Sequence, residues 1–148
     1  MTSFTLQILF GIVLAAICII PGRKFFPQFE RPLWAAGLFV AALIYVAFLL
    51  LGASGHWLWI EPAGAVVYGG VALLGARRFP MLVGIGWLLH GFWDVGLHLG
   101  DRAHFVPYWY PGACLGYDLT AGVYLITRVP AWKDMSSTNP DTLESSTT

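Results

Sequence analysis

Charged residues are scarce in this chain. Only 11% of its 148 residues are charged and 57% are hydrophobic, whereas about a quarter of the residues in an average soluble domain are charged. Because a soluble domain needs a polar exterior and a disordered segment needs even more polarity, this composition excludes both classes. The basic residues equal the acidic ones in number and form no long cluster, so a nucleic-acid binder that relies on a basic patch is excluded too.

Cysteine is nearly absent as well, and long apolar stretches take up most of the chain. Cys18 and Cys114, its only cysteines, both lie inside such stretches, which excludes a disulfide scaffold. A helix needs ~20 mostly apolar residues to cross a hydrocarbon core of ~30 Å. Five stretches reach or approach that length: residues 4–20, 33–51, 62–77, 80–99 and 107–127.

These stretches predict the fold class. Residues 1–134 should form an all-α, polytopic integral membrane bundle of five transmembrane helices. The Ser/Thr-rich residues 135–148 are predicted to be a disordered cytoplasmic tail. Pro21 and Gly22 are expected to end the first helix, and Pro62 to begin the third.

The basic residues predict the orientation of the bundle. Arg102 falls on one side of the five stretches, and the other basic residues fall on the opposite side. Since cytoplasmic loops are enriched in Lys and Arg, the N-terminus should be outside and the C-terminus inside a cell membrane, such as a bacterial inner membrane. The residues on the cytoplasmic side are Arg23, Lys24, Arg31, Arg77, Arg78, Arg128 and Lys133.

Ionisable residues occur inside the fourth and fifth stretches. Such residues cost free energy to bury in a membrane, so their presence indicates a functional site. His90, Asp94 and His98 are spaced four residues apart and therefore project from one helix face. At ~1.5 Å per residue, His90 and Asp118 lie at matching depths near the middle of neighbouring helices. We expect these four side chains to line a polar pocket that opens to the non-cytoplasmic side. Its mouth would be closed by His56, Glu61, Asp101 and His104.

Two strings in this region resemble a known sequence pattern. HGFWDVGLH (residues 90–98) and VPYWYPGACLGYD (residues 106–118) are similar to a bacterial family of small, functionally uncharacterised integral membrane proteins, with the pattern HGxWDxxHH followed by VPxWYPxxC and an Asp. Leu97 stands where that family has the first His of a pair. The resemblance implies a membrane domain of unknown function and transfers no activity.

The polar residues favour a metal-dependent membrane enzyme. His90, Asp94 and His98 are candidate ligands for a divalent metal such as Zn, Fe or Mn, because imidazole and carboxylate groups are what these ions bind. Asp94 and Asp118 are the candidate catalytic residues. With one metal position left open to water, such a site could hydrolyse or isomerise a lipid that enters from the bilayer.

Other functions remain open on the sequence alone. His90, Asp94 and Asp118 could join helices by hydrogen bonds and do nothing else. The column of His and Asp could relay protons or serve a small permease, although no polar residues continue from Asp118 to the cytoplasmic end. A non-catalytic accessory subunit of a larger membrane complex, with His90 as the axial ligand of a pigment or other cofactor, is the remaining alternative.

Overall fold

The computed structural model describes residues 3–99 and 104–137, and within those ranges it contains helices, turns and no strand. The all-α prediction is therefore confirmed. A short 3-10 segment at Leu49–Leu51 extends the second helix. The five helices are α1 (Ser3–Phe25), α2 (Glu30–Phe48), α3 (Trp57–Arg77), α4 (Met81–His98) and α5 (Tyr110–Ser137).

Proline was a poor guide to the helix ends. Pro21 lies inside α1 and Pro62 lies inside α3, so the predicted end of the first helix and start of the third were wrong. Each proline is within about a turn and a half of a helix end. It therefore removes one hydrogen bond near the terminus and does not interrupt the middle of the helix. α5 likewise continues past Pro130 into the predicted tail, of which residues 138–148 lie outside the described residues.

The helices pack partly as sequence neighbours, with α1 as the exception because, within the described residues, it lies against α5 and not against α2. α5 lies between α1 and α4, while α2 packs mainly on α3 and also touches α4. The prediction that α4 and α5 are direct neighbours is confirmed, since they form the most extensive helix contact. The α1–α5 crossing is close enough to require glycine: a Cβ atom built on Gly116 would lie 2.1 Å from the carbonyl oxygen of Ile8.

The bundle has an apolar surface and a partly polar interior. Large hydrophobic side chains such as Leu50, Trp59 and Val66 are 89%, 79% and 75% exposed, a pattern that a soluble monomer avoids. The interior packs around aromatic and aliphatic residues, including Trp34, Leu38, Trp87 and Leu125. It also buries ionisable side chains almost completely, namely Glu30, Glu61, His90, Asp94, His98 and Asp118.

Among the described residues, three helices are long and apolar enough to cross a membrane: α1, α2 with its extension to Leu51, and α3. This is compatible with a membrane protein. The ionisable residues of α4 and α5 lower the mean hydropathy of those two helices, which explains why they fall short of the same criterion. Five spans and their orientation stay predictions.

Candidate metal centre

His90, Asp94 and Asp118 meet in the interior of the bundle. His90 Nδ1 lies 2.9 Å from Asp118 Oδ2 and 3.4 Å from Asp94 Oδ2. One potential ligand atom from each residue lies within 4.8 Å of the other two, and all three side chains are buried. The predicted common face of His90 and Asp94 and the matching depth of Asp118 are therefore confirmed. We refer to these three residues as the His/Asp group.

Local sequence explains why the three side chains can converge. His90 and Asp94 are one turn apart on α4, which brings their side chains together on one face. Gly91 lies where α4 meets α5, and a Cβ atom at this position would be 3.0 Å from the Cβ of Asp118. A larger residue at position 91 would therefore push α5 and its carboxyl group away from His90.

Asp94 is buried without a well-formed hydrogen bond. Within the described ranges neither of its side-chain oxygens meets hydrogen-bond geometry, although the Tyr45 hydroxyl and the Cys114 thiol lie close enough to interact with the carboxyl group. The 3.4 Å contact to His90 Nδ1 is short enough for an ion pair but lacks hydrogen-bond geometry, and the same nitrogen already bonds Asp118. Since buried polar atoms are almost always satisfied in folded proteins, this carboxyl group points to a further partner such as an ordered water or an ion.

The charges of the His/Asp group lead to the same inference. Two ionised carboxylates beside a neutral imidazole carry a net charge of two minus, which is costly in a low-dielectric interior. Protons could also neutralise the group, with the Tyr45 hydroxyl and the Cys114 thiol as the neighbours of a protonated Asp94. A divalent cation neutralises the set and also provides a partner for the Asp94 oxygens.

His98 takes part in a different interaction. Its Nε2 atom lies 2.7 Å from Oε1 of Glu61, and its Nδ1 atom lies 3.2 Å from the backbone oxygen of Asp94. Both ring nitrogens are therefore engaged, and among the described residues His98 lies outside the group that could share a metal. The two contacts therefore give both ring nitrogens of His98 and one carboxyl oxygen of Glu61 a partner inside the bundle.

Aromatic side chains surround this second pair. The ring of His98 stacks on Tyr45 at 4.3 Å between centroids and contacts Trp57 and Phe105. Of the other residues expected at the mouth, His56 and His104 are exposed, while Asp101 lies outside the described residues. Glu61 is buried inside α3 and so holds α3 against α4.

A cavity of about 460 Å³ reaches the His/Asp group from the side of the bundle. Asp118 lines it, whereas His90, Asp94 and His98 are not among the described residues that do. The predicted opening toward the non-cytoplasmic end stays a prediction, because it depends on residues 100–103, which lie outside the described residues. The cavity is lined by Phe10, Leu14, Gly37, Val40, Ala41, Ile44, Trp87, Trp109, Tyr110, Ala113, Cys114, Tyr117 and Asp118.

Sequence reasoning missed a second buried cluster, centred on Glu30 at the start of α2. Its carboxylate accepts hydrogen bonds from Arg128 Nε and Trp132 Nε1, each at 2.9 Å, and from the Tyr124 hydroxyl. Tyr124, Arg128 and Trp132 are spaced four residues apart on α5, and this spacing could have revealed a common face. The cluster joins the beginning of α2 to the end of α5.

The fold and site together define a helical bundle with an apolar surface and a buried imidazole–carboxylate group. Residues 6–131 match the Family of unknown function (DUF6010), and the chain belongs to this family. The resemblance drawn from residues 90–118 to a domain of unknown function is thereby confirmed. No curated protein and no solved structure matches the chain.

Proposed function

We propose that this protein is a divalent-metal enzyme embedded in a membrane, with a hydrolase- or isomerase-type activity. The metal would be held by His90, Asp94 and Asp118. The observation that carries this proposal is the convergence of three buried side chains, whose potential ligand atoms lie within 4.8 Å of one another, with no well-formed hydrogen bond on Asp94 within the described ranges.

Two of the three ligand separations in the group are close to those around a small divalent ion. Ligand atoms bound at ~2.0–2.2 Å in tetrahedral geometry lie roughly 3.4 Å from one another. The two measured separations from His90 Nδ1, 2.9 Å and 3.4 Å, are close to this value. One nitrogen and two carboxylate donors suit Zn, Mn or Fe.

The proposed ligand set differs from the one inferred from sequence, in that Asp118 takes the place of His98. His98 already uses both ring nitrogens in bonds to Glu61 and the α4 backbone, so it would have to break a buried pair to bind a metal. Asp94 and Asp118 keep the catalytic assignment made from sequence.

A set of three protein ligands leaves a metal position for water or substrate, which is the arrangement found in catalytic zinc sites. Such an ion polarises a carbonyl or phosphoryl oxygen, or lowers the pKa of bound water so that it becomes a nucleophile at neutral pH. Asp118 lines the lateral cavity, so its carboxylate would be the group best placed to exchange a proton with a molecule bound there.

The membrane setting is part of the same proposal. We propose that all five helices cross the bilayer, with the N-terminus outside and the C-terminus inside. The apolar surface of the bundle and the distribution of Lys and Arg support this arrangement. It would place the His/Asp group at membrane depth, where a lipid is the most abundant neighbouring molecule.

Metal analysis of the purified protein tests the proposal. We expect about one Zn, Mn or Fe per chain in the wild type and in His104→Ala, which removes an exposed histidine, and none in His90→Ala. His98→Gln should keep the metal. Loss of the metal in His98→Gln would contradict the proposed ligand set. A wild-type protein that stays metal-free when supplied with each of these ions would overturn the proposed function.

A further inference from the structure

The lateral cavity lies in a cleft between α1 and α2. Within the described residues α1 packs on α5 and α2 packs on α3 and α4, while α1 and α2 make no extensive contact with each other. Phe10 on α1 and Val40 on α2 flank the mouth of the cleft and are 50% and 55% exposed. Trp87 on α4 and Asp118 on α5 line the cavity behind them. The cleft therefore leads from the apolar surface to one carboxylate of the His/Asp group.

The cleft continues toward the Glu30 end of the bundle. A second cavity, of about 210 Å³, shares Gly37, Trp87 and Tyr117 with the first and extends to Glu30. Along α2, the lining residues of the two cavities run from Glu30 to Ile44, a distance of about 21 Å at 1.5 Å per residue. One leaflet of a hydrocarbon core of ~30 Å is roughly 15 Å thick, so the cleft is long enough for the hydrocarbon chain of one lipid.

The volume of the cleft determines what can occupy it. An α-helix about 10 Å in diameter needs roughly 1,600 Å³ over a length of ~20 Å, which is more than the two cavities offer together. A second copy of the chain or a helix of another subunit could therefore cover the mouth but not fill the interior. A single flexible chain fits, and the larger cavity has the size of a small-ligand site.

We propose that this cleft binds the hydrocarbon chain of a bilayer phospholipid and presents the lipid laterally to Asp118. The role of the bound lipid as substrate rests on the proposed function, whereas the binding of the chain does not. Lateral entry agrees with the apolar walls, with the exposed mouth residues and with the presence of Asp118 on the cavity wall.

Photo-crosslinking with a phosphatidylcholine that carries a diazirine in its acyl chain tests the proposal. The protein is reconstituted in vesicles of this lipid diluted into unlabelled phosphatidylcholine, and labelled residues are mapped by mass spectrometry. We expect crosslinks on cavity residues of α5, in particular Tyr117 and Asp118. Crosslinks confined to outward-facing residues would show ordinary surface lipid and overturn the proposal.

Two alanines of α2 provide a matched pair of variants. Ala41 lines the cavity, whereas Ala47 is exposed and is not among its lining residues. Ala41→Phe should lower crosslinking of the cavity residues roughly tenfold or more, because a bulky ring then occupies the volume that the chain needs. Ala47→Phe should leave it unchanged. Should Ala41→Phe fail to fold, Ile44→Trp at the wall of the same cavity takes its place.

Two further measurements separate the alternatives. A photoreactive benzoylphenylalanine at Val40 captures whatever covers the mouth, and a product of twice the chain mass would show a second copy there and overturn the lipid proposal. The lipid crosslinks should persist in Asp94→Asn. If the crosslinks persist and neither the wild type nor any variant binds metal, the proposed function fails and the lipid cleft stands. If the protein binds metal and cavity crosslinks are absent, the lipid cleft fails and the proposed function stands.

Discussion

His98 Nε2 lies 2.7 Å from Glu61 Oε1, so the third ionisable residue of α4 is bonded to α3, while His90 and Asp94 lie beside Asp118. Three residues that share one helix face thus belong to two different polar groups. Because both ring nitrogens of His98 have partners within the described residues and Asp94 has no well-formed hydrogen bond, the two groups should respond differently to substitution.

Substitution of Glu61 should affect stability and not metal binding. Glu61→Gln can still donate a hydrogen bond to His98 Nε2, so we expect nearly unchanged stability. Glu61→Leu leaves this buried nitrogen without its partner and should cost about 1–3 kcal/mol of unfolding free energy. Unfolding in mixed detergent micelles measures both effects, and metal analysis should give the wild-type value for each variant. Metal lost in Glu61→Gln would show that Glu61 belongs to the metal centre.

The Glu30 cluster should contribute to stability alone. Glu30→Gln removes the charge that pairs with Arg128 and weakens the bond from Trp132, so we expect a loss of about 1.5–3 kcal/mol, the range for hydrogen bonds to charged groups. Tyr124→Phe deletes one hydrogen bond and should cost about 1 kcal/mol. The same unfolding assay tests both variants. Equal losses in the two would contradict a dominant role for the charge.

Reporter fusions test the orientation. Alkaline phosphatase is active only outside the cytoplasm, so a fusion at the C-terminus should be inactive and an insertion into the turn at residues 52–55 should be active. The physical reason is the concentration of Lys and Arg at the other end of the bundle. An active C-terminal fusion would show that the orientation is reversed or that the number of spans is even.

The sequence predicted the parts of the site that follow from helix geometry. The spacing of His90 and Asp94 determines their common face, and the rise per residue determines the depth of Asp118. The partner of His98 could not be predicted in this way. Glu61 precedes Pro62 and looked like a loop residue, but α3 already begins at Trp57, which turns Glu61 toward α4. Glu30 was missed for a similar reason, because it adjoins Arg31 in a segment that the charge pattern assigns to a loop.

Asp94→Asn distinguishes a metal centre from a polar contact between helices. An amide has nearly the volume and hydrogen-bonding capacity of a protonated carboxyl group, so if Asp94 only joins helices the change should alter neither stability nor any activity. If Asp94 is an ionised ligand, the substitution removes a charge on which the ion depends. Loss of groups that merely orient a ligand lowers metal affinity 10–100-fold, and loss of the ligand itself should cost at least about as much.

The expected outcome is therefore a folded Asp94→Asn protein whose metal affinity has fallen at least about 100-fold. Asp118→Asn should behave in the same way, since its carboxylate lies 2.9 Å from the same nitrogen of His90. Tyr45→Phe is the matched control: it removes a hydroxyl beside Asp94 without changing a proposed ligand, so the fold and the metal should both be retained. Competition with a chelating dye measures the affinities, and thermal unfolding verifies the fold. Full metal affinity in both Asn variants, together with complementation of a deletion strain, would show that any metal binds elsewhere and that the His/Asp group is a polar contact between α4 and α5.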